Sequence, residues 1–419
     1  MQVNAQPVRG TKDFLPTEMQ VRDTVLKIIM DTYKSFGFAH IQAPIMEDIN
    51  RLDKSDGGEN LALIFKILKR GEKLNIAAAQ KENDLVDMGL RYDLTVPLAR
   101  YYANNRAVLP KPFKALHVDR VFRAERPQKG RMREFYQCDI DILGNASADA
   151  EKELIYVTSQ AMLNIGFTGF KIRINDRRIL CDMIRWCGFE QEAIPSVCIV
   201  FDKMDKVGLE GVKAELEAKG FANDAIEKFT NLLADKDFGS LAFAQKYVQD
   251  QSVIEALQST IDTSNALSHG KYAVEFDPSL VRGQGYYTGM VFEISCGDYA
   301  SSVGGGGRYD KMIGKELGED VPAVGFSIGF ERICDVLQTH PEILSARSQT
   351  KQLALIYSDT DDFGAVMQKA EQLRAQGFYV NIQKRAKKLG KQLDMLIANG
   401  TTHSFIYGEY DEPKELAQQ

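Results

Sequence analysis

The sequence predicts an α+β protein: a large domain on an antiparallel sheet, interrupted by a helical insertion, then a small C-terminal α/β domain. Three observations predict it. Short segments that alternate apolar and polar residues lie close together between 114 and 143 and again between 271 and 295, which favours antiparallel pairing with one face turned to a site. Between about 177 and 268 helical periodicity dominates, with charged outer faces, and strand patterns pause. Beyond about 350 strands and helices alternate one for one, the mark of a separate domain with a largely parallel sheet.

Taken in order, residues 21–36 form a helix. Val21, Val25, Ile28 and Ile29 share one face, and Gly37 stands where a left-handed residue closes a helix. Residues 39–45 read as a short strand running up to Pro44, and further strands are expected at 114–125, 133–143 and 170–175. Helices at 211–219, 225–234 and 252–267 make up the insertion, after which strands return at 271–276 and 290–295. The large domain is placed at 1–340, a linker at 341–350 and the small domain at 351–419. The small domain has strands at 352–357, 378–382 and 403–407 and helices at 363–376 and 389–398. A chain of 419 residues is too long for one ordinary core and suits this division.

Composition narrows the class without naming it. Hydrophobic content of 44% and charged content of 26% are ordinary for a globular protein. The first nine residues hold no apolar signal core, and no later run approaches the roughly 18 apolar residues of a membrane span, so a cytoplasmic, non-membrane protein is expected. The six cysteines show no CxxC spacing and no matching histidine cluster, which favours reduced buried thiols over a structural zinc site. A formal charge of −6 argues mildly against a nucleic-acid partner, although local basic patches on an acidic protein still bind RNA.

The segment 116–142 is the most informative. On the first strand Leu116, Val118, Phe122 and Ala124 fall on one face, with Arg123 and Glu125 on the other. A loop, Arg126-Pro127-Gln128-Lys129-Gly130-Arg131, carries three cations in six residues. On the return strand Tyr136, Cys138, Ile140 and Ile142 form the apolar face, opposite Phe135, Gln137, Asp139 and Asp141. A hairpin with one solvated face fits this pattern as well as a ligand site does. Farther on, Arg282-Gly283-Gln284-Gly285-Tyr286-Tyr287 fits either an anion site beside an aromatic wall or a glycine-rich turn with core tyrosines. The four glycines of Ser302-Val303-Gly304-Gly305-Gly306-Gly307-Arg308-Tyr309-Asp310 fit a close approach of backbone to a ligand or a tight turn.

The string from Phe122 to Arg131 resembles motif 2 of class II aminoacyl-tRNA synthetases in its histidyl form, and the string from Leu280 to Gly289 is similar to a signature of histidyl-tRNA synthetases. Ser302 to Asp310 resembles that family's second signature, Pro322 to Arg332 its motif 3, and Val8 to Pro16 its amino-terminal signature. The first helix through Pro44 looks like motif 1, the dimer element, and Arg91-Tyr92-Asp93-Leu94-Thr95 completes a series in the right order over nearly the whole chain. Gln284-Gly285 departs from the family's usual Leu-Asp.

The resemblance implies a class II catalytic fold and ATP-dependent activation of L-histidine for transfer to tRNA(His), with Mg2+ and a homodimer. It puts ATP on Arg123, Glu125, Arg131, Phe135 and Arg332, with Arg123 and Arg282 as catalytic arginines around the α-phosphate and the histidine carboxylate. Asp93 and Thr95, read as sharing one strand face, would hold the substrate ammonium. Gln137, Asp141, Tyr286, Tyr287 and Tyr309 would complete the histidine pocket, with Asp141 and Tyr287 on the two ring nitrogens. Gln128 and Lys129 would meet the tRNA acceptor end, and Lys384 and Arg385 the anticodon region. Metal ligands are not singled out.

These residue types suit the reaction. The attacking carboxylate is already ionised, so positioned cations are needed rather than a base. Two rival readings stand beside this one. A histidine-sensing regulatory paralogue of histidine biosynthesis would lose signature residues, and Arg123, Arg282, Tyr287 and Arg332 are all present. An enzyme that makes histidyl-adenylate for a non-tRNA acceptor is kept open by the C-terminus, which stops at Gln419 where the family continues through more strands and a closing helix.

Overall fold

The structure, a computed structural model, describes residues 5–55, 58–126, 131–281, 286–297, 302–344 and 351–416. Its backbone divides into two compact units, residues 1–12 with 28–339 and residues 13–27 with 340–419.

The chain opens with α1 (Pro16–Ser35), whose buried Val25, Ile29 and Tyr33 recur at helical spacing, and it ends before Gly37 at φ +82°. Next come β1 (Ala39–Ile41), β2 (Met46–Asp48), α2 (Ile49–Asp53), β3 (Lys66–Leu68), β4 (Val86–Leu90) and α3 (Thr95–Asn105). Strands β2, β4 and β3 make a small antiparallel sheet in that order, which the sequence pattern did not announce. The hairpin follows as β5 (Phe113–Phe122) and β6 (Glu134–Leu143), then α4 (Asp149–Ile165) and β7 (Phe170–Asp176).

Six helices occupy the expected insertion: α5 (Arg177–Trp186), α6 (Ile194–Phe201), α7 (Met204–Ala218), α8 (Asn223–Leu233), α9 (Leu241–Ala244) and α10 (Gln251–Ser268). The first unit closes with β8 (Tyr272–Phe276), β9 (Met290–Ser295), β10 (Gly304–Arg308), α11 (Asp310–Leu317), β11 (Ala323–Gly329) and α12 (Phe330–Thr339).

Its principal sheet has eight strands in the order β1-β5-β6-β11-β10-β9-β7-β8. Pairing is antiparallel from β5 through to β7, as expected, but parallel at each edge, β1 with β5 and β7 with β8. The second parallel pair has a physical reason. Parallel neighbours need a long crossover, and the helices between β7 and β8 supply it.

In the second unit β12 (Gln352–Tyr357), α13 (Phe363–Ala375), β13 (Tyr379–Lys384), α14 (Leu389–Ala398), β14 (His403–Ile406) and β15 (Lys414–Glu415) follow the expected alternation. The sheet order is β13-β12-β14-β15, with β12 parallel to both neighbours. Leu353 and Leu355 pack on one face against Val366, Ala370 and Leu373, while Ala354 and Ile356 pack on the other against Leu396, so the central strand is buried on both faces as a parallel strand should be. The six cysteines are free thiols, five buried and Cys181 half-buried. Among the described residues no helix is long and apolar enough to cross a membrane.

Candidate active site

Strand register builds the site. One row across the sheet runs His117, Asp139, Ser327, Gly305, Glu293 and Arg173 on six successive strands, and the next runs Ala115, Asp141, Gly325, Gly307 and Val291. Antiparallel partners put their side chains on the same face, so acids on β6 look across a floor of glycine and serine. Of the two readings the pattern left open, the solvated hairpin face does not hold: Asp139 and Asp141 are 4% and 3% exposed. The first turn of α3, the aromatic pair Tyr286 and Tyr287, and Tyr309 close over them.

That floor needs glycine for space. The run Gly304–Gly307, left between a turn and a ligand approach by the sequence, is the central strand β10. A Cβ on Gly306 would overlap the Gly325 carbonyl oxygen, and one on Gly307 would stand 2.7 Å from the Met290 carbonyl oxygen and 2.8 Å from the Tyr287 ring. On β11, a Cβ on Gly325 would occupy the place of an Asp141 carboxylate oxygen. Arg308 anchors the strand's end, its guanidinium gripping Glu151 of α4 through two bonds of 2.6 Å.

Two adjoining cavities lie on this face. The larger, about 580 Å³, is lined by Arg123, Glu125, Arg131, Phe135, Glu331 and Arg332 among others. The smaller, about 40 Å³, is lined by Thr95, Asp139, Asp141, Tyr286, Tyr287 and Tyr309, and both share Gln137, Gly305 and Ser327.

In the larger cavity Arg123 lies just past the end of β5. Its Nε donates to the Tyr92 carbonyl at 3.0 Å and its guanidinium lies 5.1 Å from the centre of the Phe135 ring. Arg131 pairs with Glu125 at 3.4 Å. Arg332 donates to the Ser302 carbonyl, and Glu331 accepts from the Tyr136 amide at 3.1 Å.

In the smaller cavity the Tyr309 hydroxyl donates to Asp141 at 2.5 Å. Tyr286 lies edge-on to Tyr287, with ring centres 4.8 Å apart, and 6.1 Å from Tyr309. Asp93 and Thr95 are not on a strand. They form the entry to α3, where Asp93 Oδ1 accepts from the Val96 amide at 3.1 Å, because the first amides of a helix have no partner inside it.

Burial dominates the electrostatics. It pushes Asp93 up to about 6 against the pull of the Val96 amide and Arg123. It pushes Asp141 up to about 7 despite the Tyr309 hydroxyl, with nearby Asp93 adding to the rise. Asp139 is also raised well above the carboxylate range, by burial first and then by Asp141. The hydroxyls of Tyr286 and Tyr309 are raised by burial too, so both stay protonated donors.

The structure therefore brings Asp93, Thr95, Arg123, Glu125, Arg131, Phe135, Gln137, Asp141, Tyr286, Tyr287, Tyr309 and Arg332 around two adjoining cavities. Arg282, Gln128 and Lys129 lie outside the described residues. Lys384 and Arg385 belong to the other unit, where they pair with Asp359 and Glu409. Sequence reasoning assigned no role to Asp139 or Ser327. The period-two pattern that grouped Asp139 with Gln137 and Asp141 was the available signal for the first, and Ser327 had none. Arg91 stands in the 91–95 motif, where the resemblance implies no role for it. It is fully buried, donating to the Ala43 and Arg120 carbonyls at 2.8 Å and paired with Asp119 at 2.8 Å.

A family model described as histidyl-tRNA synthetase matches residues 10–333. A histidine–tRNA ligase of Leifsonia xyli subsp. xyli is 43% identical, covering 97% of this chain and 96% of that protein. A probable histidine–tRNA ligase of Tropheryma whipplei is 37% identical over 96% of this chain and 95% of that one. Among solved structures, histidyl-tRNA synthetase from Nostoc sp. PCC 7120 has a TM-score of 0.77 at 25% identity, covering 96% of this chain and 91% of that one.

Proposed function

The chain belongs to the histidyl-tRNA synthetase family, and from that premise we propose that it activates L-histidine with ATP and transfers it to the 3′ end of tRNA(His). One carboxylate oxygen of histidine bonds the α-phosphorus as the bond to pyrophosphate breaks, giving histidyl-adenylate. The histidyl group then passes to the tRNA and AMP leaves. The carboxylate is ionised at neutral pH, so the first step draws on positioned cations.

The observation that carries this reading is the junction of the two cavities. A small pocket holding the Tyr309–Asp141 pair adjoins, through Gln137, Gly305 and Ser327, a cleft containing Arg123 and Arg332. In this reading the second oxygen of Asp141 accepts from one imidazole nitrogen and the Tyr287 hydroxyl meets the other. A pocket that pairs both nitrogens rejects side chains lacking them. Asp93, Thr95 and Gln137 receive the ammonium, and Tyr286 and Tyr309 wall the ring. Arg123 and Arg282 stabilise charge on the α-phosphate, Glu125, Arg131 and Phe135 hold the nucleotide, and Arg332 meets its outer phosphate.

The nucleotide substrate is taken as its Mg2+ complex, with the metal held mainly by phosphates. Gln128, Lys129, Lys384 and Arg385 are tRNA contacts in this reading, the last two exchanging their carboxylate partners for phosphates. A homodimer through the first helix and the strand leading to Pro44 completes the proposal. It is supported by the exposed apolar side chains of Ile45, Met46 and Leu68. The protein would work in the cytoplasm, where its tRNA substrate is.

Histidine-dependent ATP–pyrophosphate exchange, followed by charging of bulk tRNA, tests the proposal. Both activities are expected with histidine alone among the amino acids. Histidine binding without exchange would mark a sensing protein, and exchange without charging would mark another acceptor.

A further inference from the structure

Among the described residues, three buried oxygens at the histidine pocket lack a hydrogen-bond partner: Asp93 Oδ2, Asp139 Oδ1 and Gln137 Oε1. The first two belong to buried carboxylates. Asp93 uses its other oxygen on the Val96 amide, and Asp139 stands opposite Ser327 across β11. Each carboxylate therefore holds one buried oxygen in reserve. A buried acceptor left unpaired costs free energy, so such groups are retained where a ligand satisfies them.

The geometry points to Asp139 as a specificity-determining residue, which joins Asp93, Thr95 and Gln137 in receiving the substrate's α-ammonium, the three unpaired oxygens taking its N–H bonds. This rests on the reading of the pocket as a histidine site. Three acceptors match the three donors of a primary ammonium, and no other group of histidine offers three. Charge agrees. Asp141 and Asp93 raise Asp139, Asp93 also raises Asp141, and Arg123 is the cation that acts on Asp93 and Asp139. His117, opposite Asp139 on β5, supplies no countercharge, because burial and Arg91 hold it down at about 4 and therefore neutral. The pocket thus carries more carboxylates than cations, and a ligand bearing a positive ammonium redresses the balance. Burial and its acidic neighbours raise Asp139 well above the carboxylate range, and an arriving ammonium favours its ionised form.

Three ligands separate this role from a structural one when titrated calorimetrically onto the full chain. L-histidine carries both ammonium and carboxylate, histidinol keeps the ammonium alone, and 3-(imidazol-4-yl)propionate keeps the carboxylate alone. Asp139→Asn preserves shape and removes a buried titratable group, so the fold is expected to survive, as thermal melts will check. Asp139→Ser is the second variant, should the amide perturb packing. Each should weaken histidine and histidinol by about 10- to 100-fold, the range for a hydrogen bond to a charged group, and leave imidazolepropionate within about twofold. Equal loss for all three ligands, or no loss for any, overturns the assignment. If the wild-type protein binds neither histidine nor histidinol, the histidine pocket itself is wrong and the proposal falls with it.

Discussion

Arg91 and Arg123 meet around one short stretch of backbone and serve different ends. Arg91, fully buried, is spent on carbonyls and Asp119, whereas Arg123 grips the Tyr92 carbonyl with Nε and lines the open cleft. Removing Arg91 strands Asp119 and two carbonyls, so Arg91→Ala should cost about 3–5 kcal/mol in urea unfolding. Arg282→Ala should instead leave the melt unchanged and lower kcat for exchange about 10²- to 10³-fold, with only partial rescue by lysine, which lacks the planar fork. A wild-type rate in that variant would make Arg282 structural.

The pocket acids add a pH signature. Asp141 is raised to about 7 and Asp93 to about 6, whereas the unfolded chain releases these protons near pH ~4. Between about pH 4 and 7 the folded state holds more protons than the unfolded one, so these groups lower the stability of the free protein as pH rises through that window. Asp141→Asn removes one such cost. Its urea midpoint should exceed wild type at pH 8, by about 1–3 kcal/mol in stability, and the gain should vanish near pH ~4. The same variant should raise the KM for histidine, since the ring loses its charged partner.

At the scale of elements, β10 shows why part of the site escaped the sequence. Alternation of side chains announces a strand, and four glycines have none to alternate. Their reason lies in other segments, namely the Ser327, Gly325 and Met290 carbonyls and the Tyr287 ring. Gly306→Ala should therefore cost about 2–4 kcal/mol and abolish exchange, because the obstacle is backbone that has nowhere to go. Gly390, in the first turn of α14 with nothing near its missing Cβ, is the contrast. Gly390→Ala should stabilise by about 0.4–1 kcal/mol by narrowing the unfolded ensemble. Parallel thermal melts of the two variants check both signs. The entry to α3 teaches a related lesson. Asp93-Leu94-Thr95 alternates like a strand, but a helix start with its acceptor on Asp93 takes the segment.

For the whole molecule, the proposed homodimer is open to a direct measurement. Sedimentation equilibrium at micromolar concentration should give twice the 47.0 kDa of one chain. Replacing exposed Met46 and Leu68 together by aspartate should shift the population toward monomer, because charges would be buried in an apolar contact. A stable monomer in the unaltered protein would remove the dimer from the proposal.

By itself the sequence determined the class of fold, most of the strands, the helical run from 177 to 268, the alternating second unit and the family. Those features rest on local periodicity and on ordered motifs, which survive in one dimension. Only the tertiary structure decided that Asp139 and Asp141 of β6 are buried, that a glycine run is a central strand, and that Arg91 is scaffold while Arg123 faces the cleft. Each of these depends on what stands opposite a residue across strand neighbours far away in the chain. Period-two alternation sorts residues onto two faces but says nothing of what covers either face.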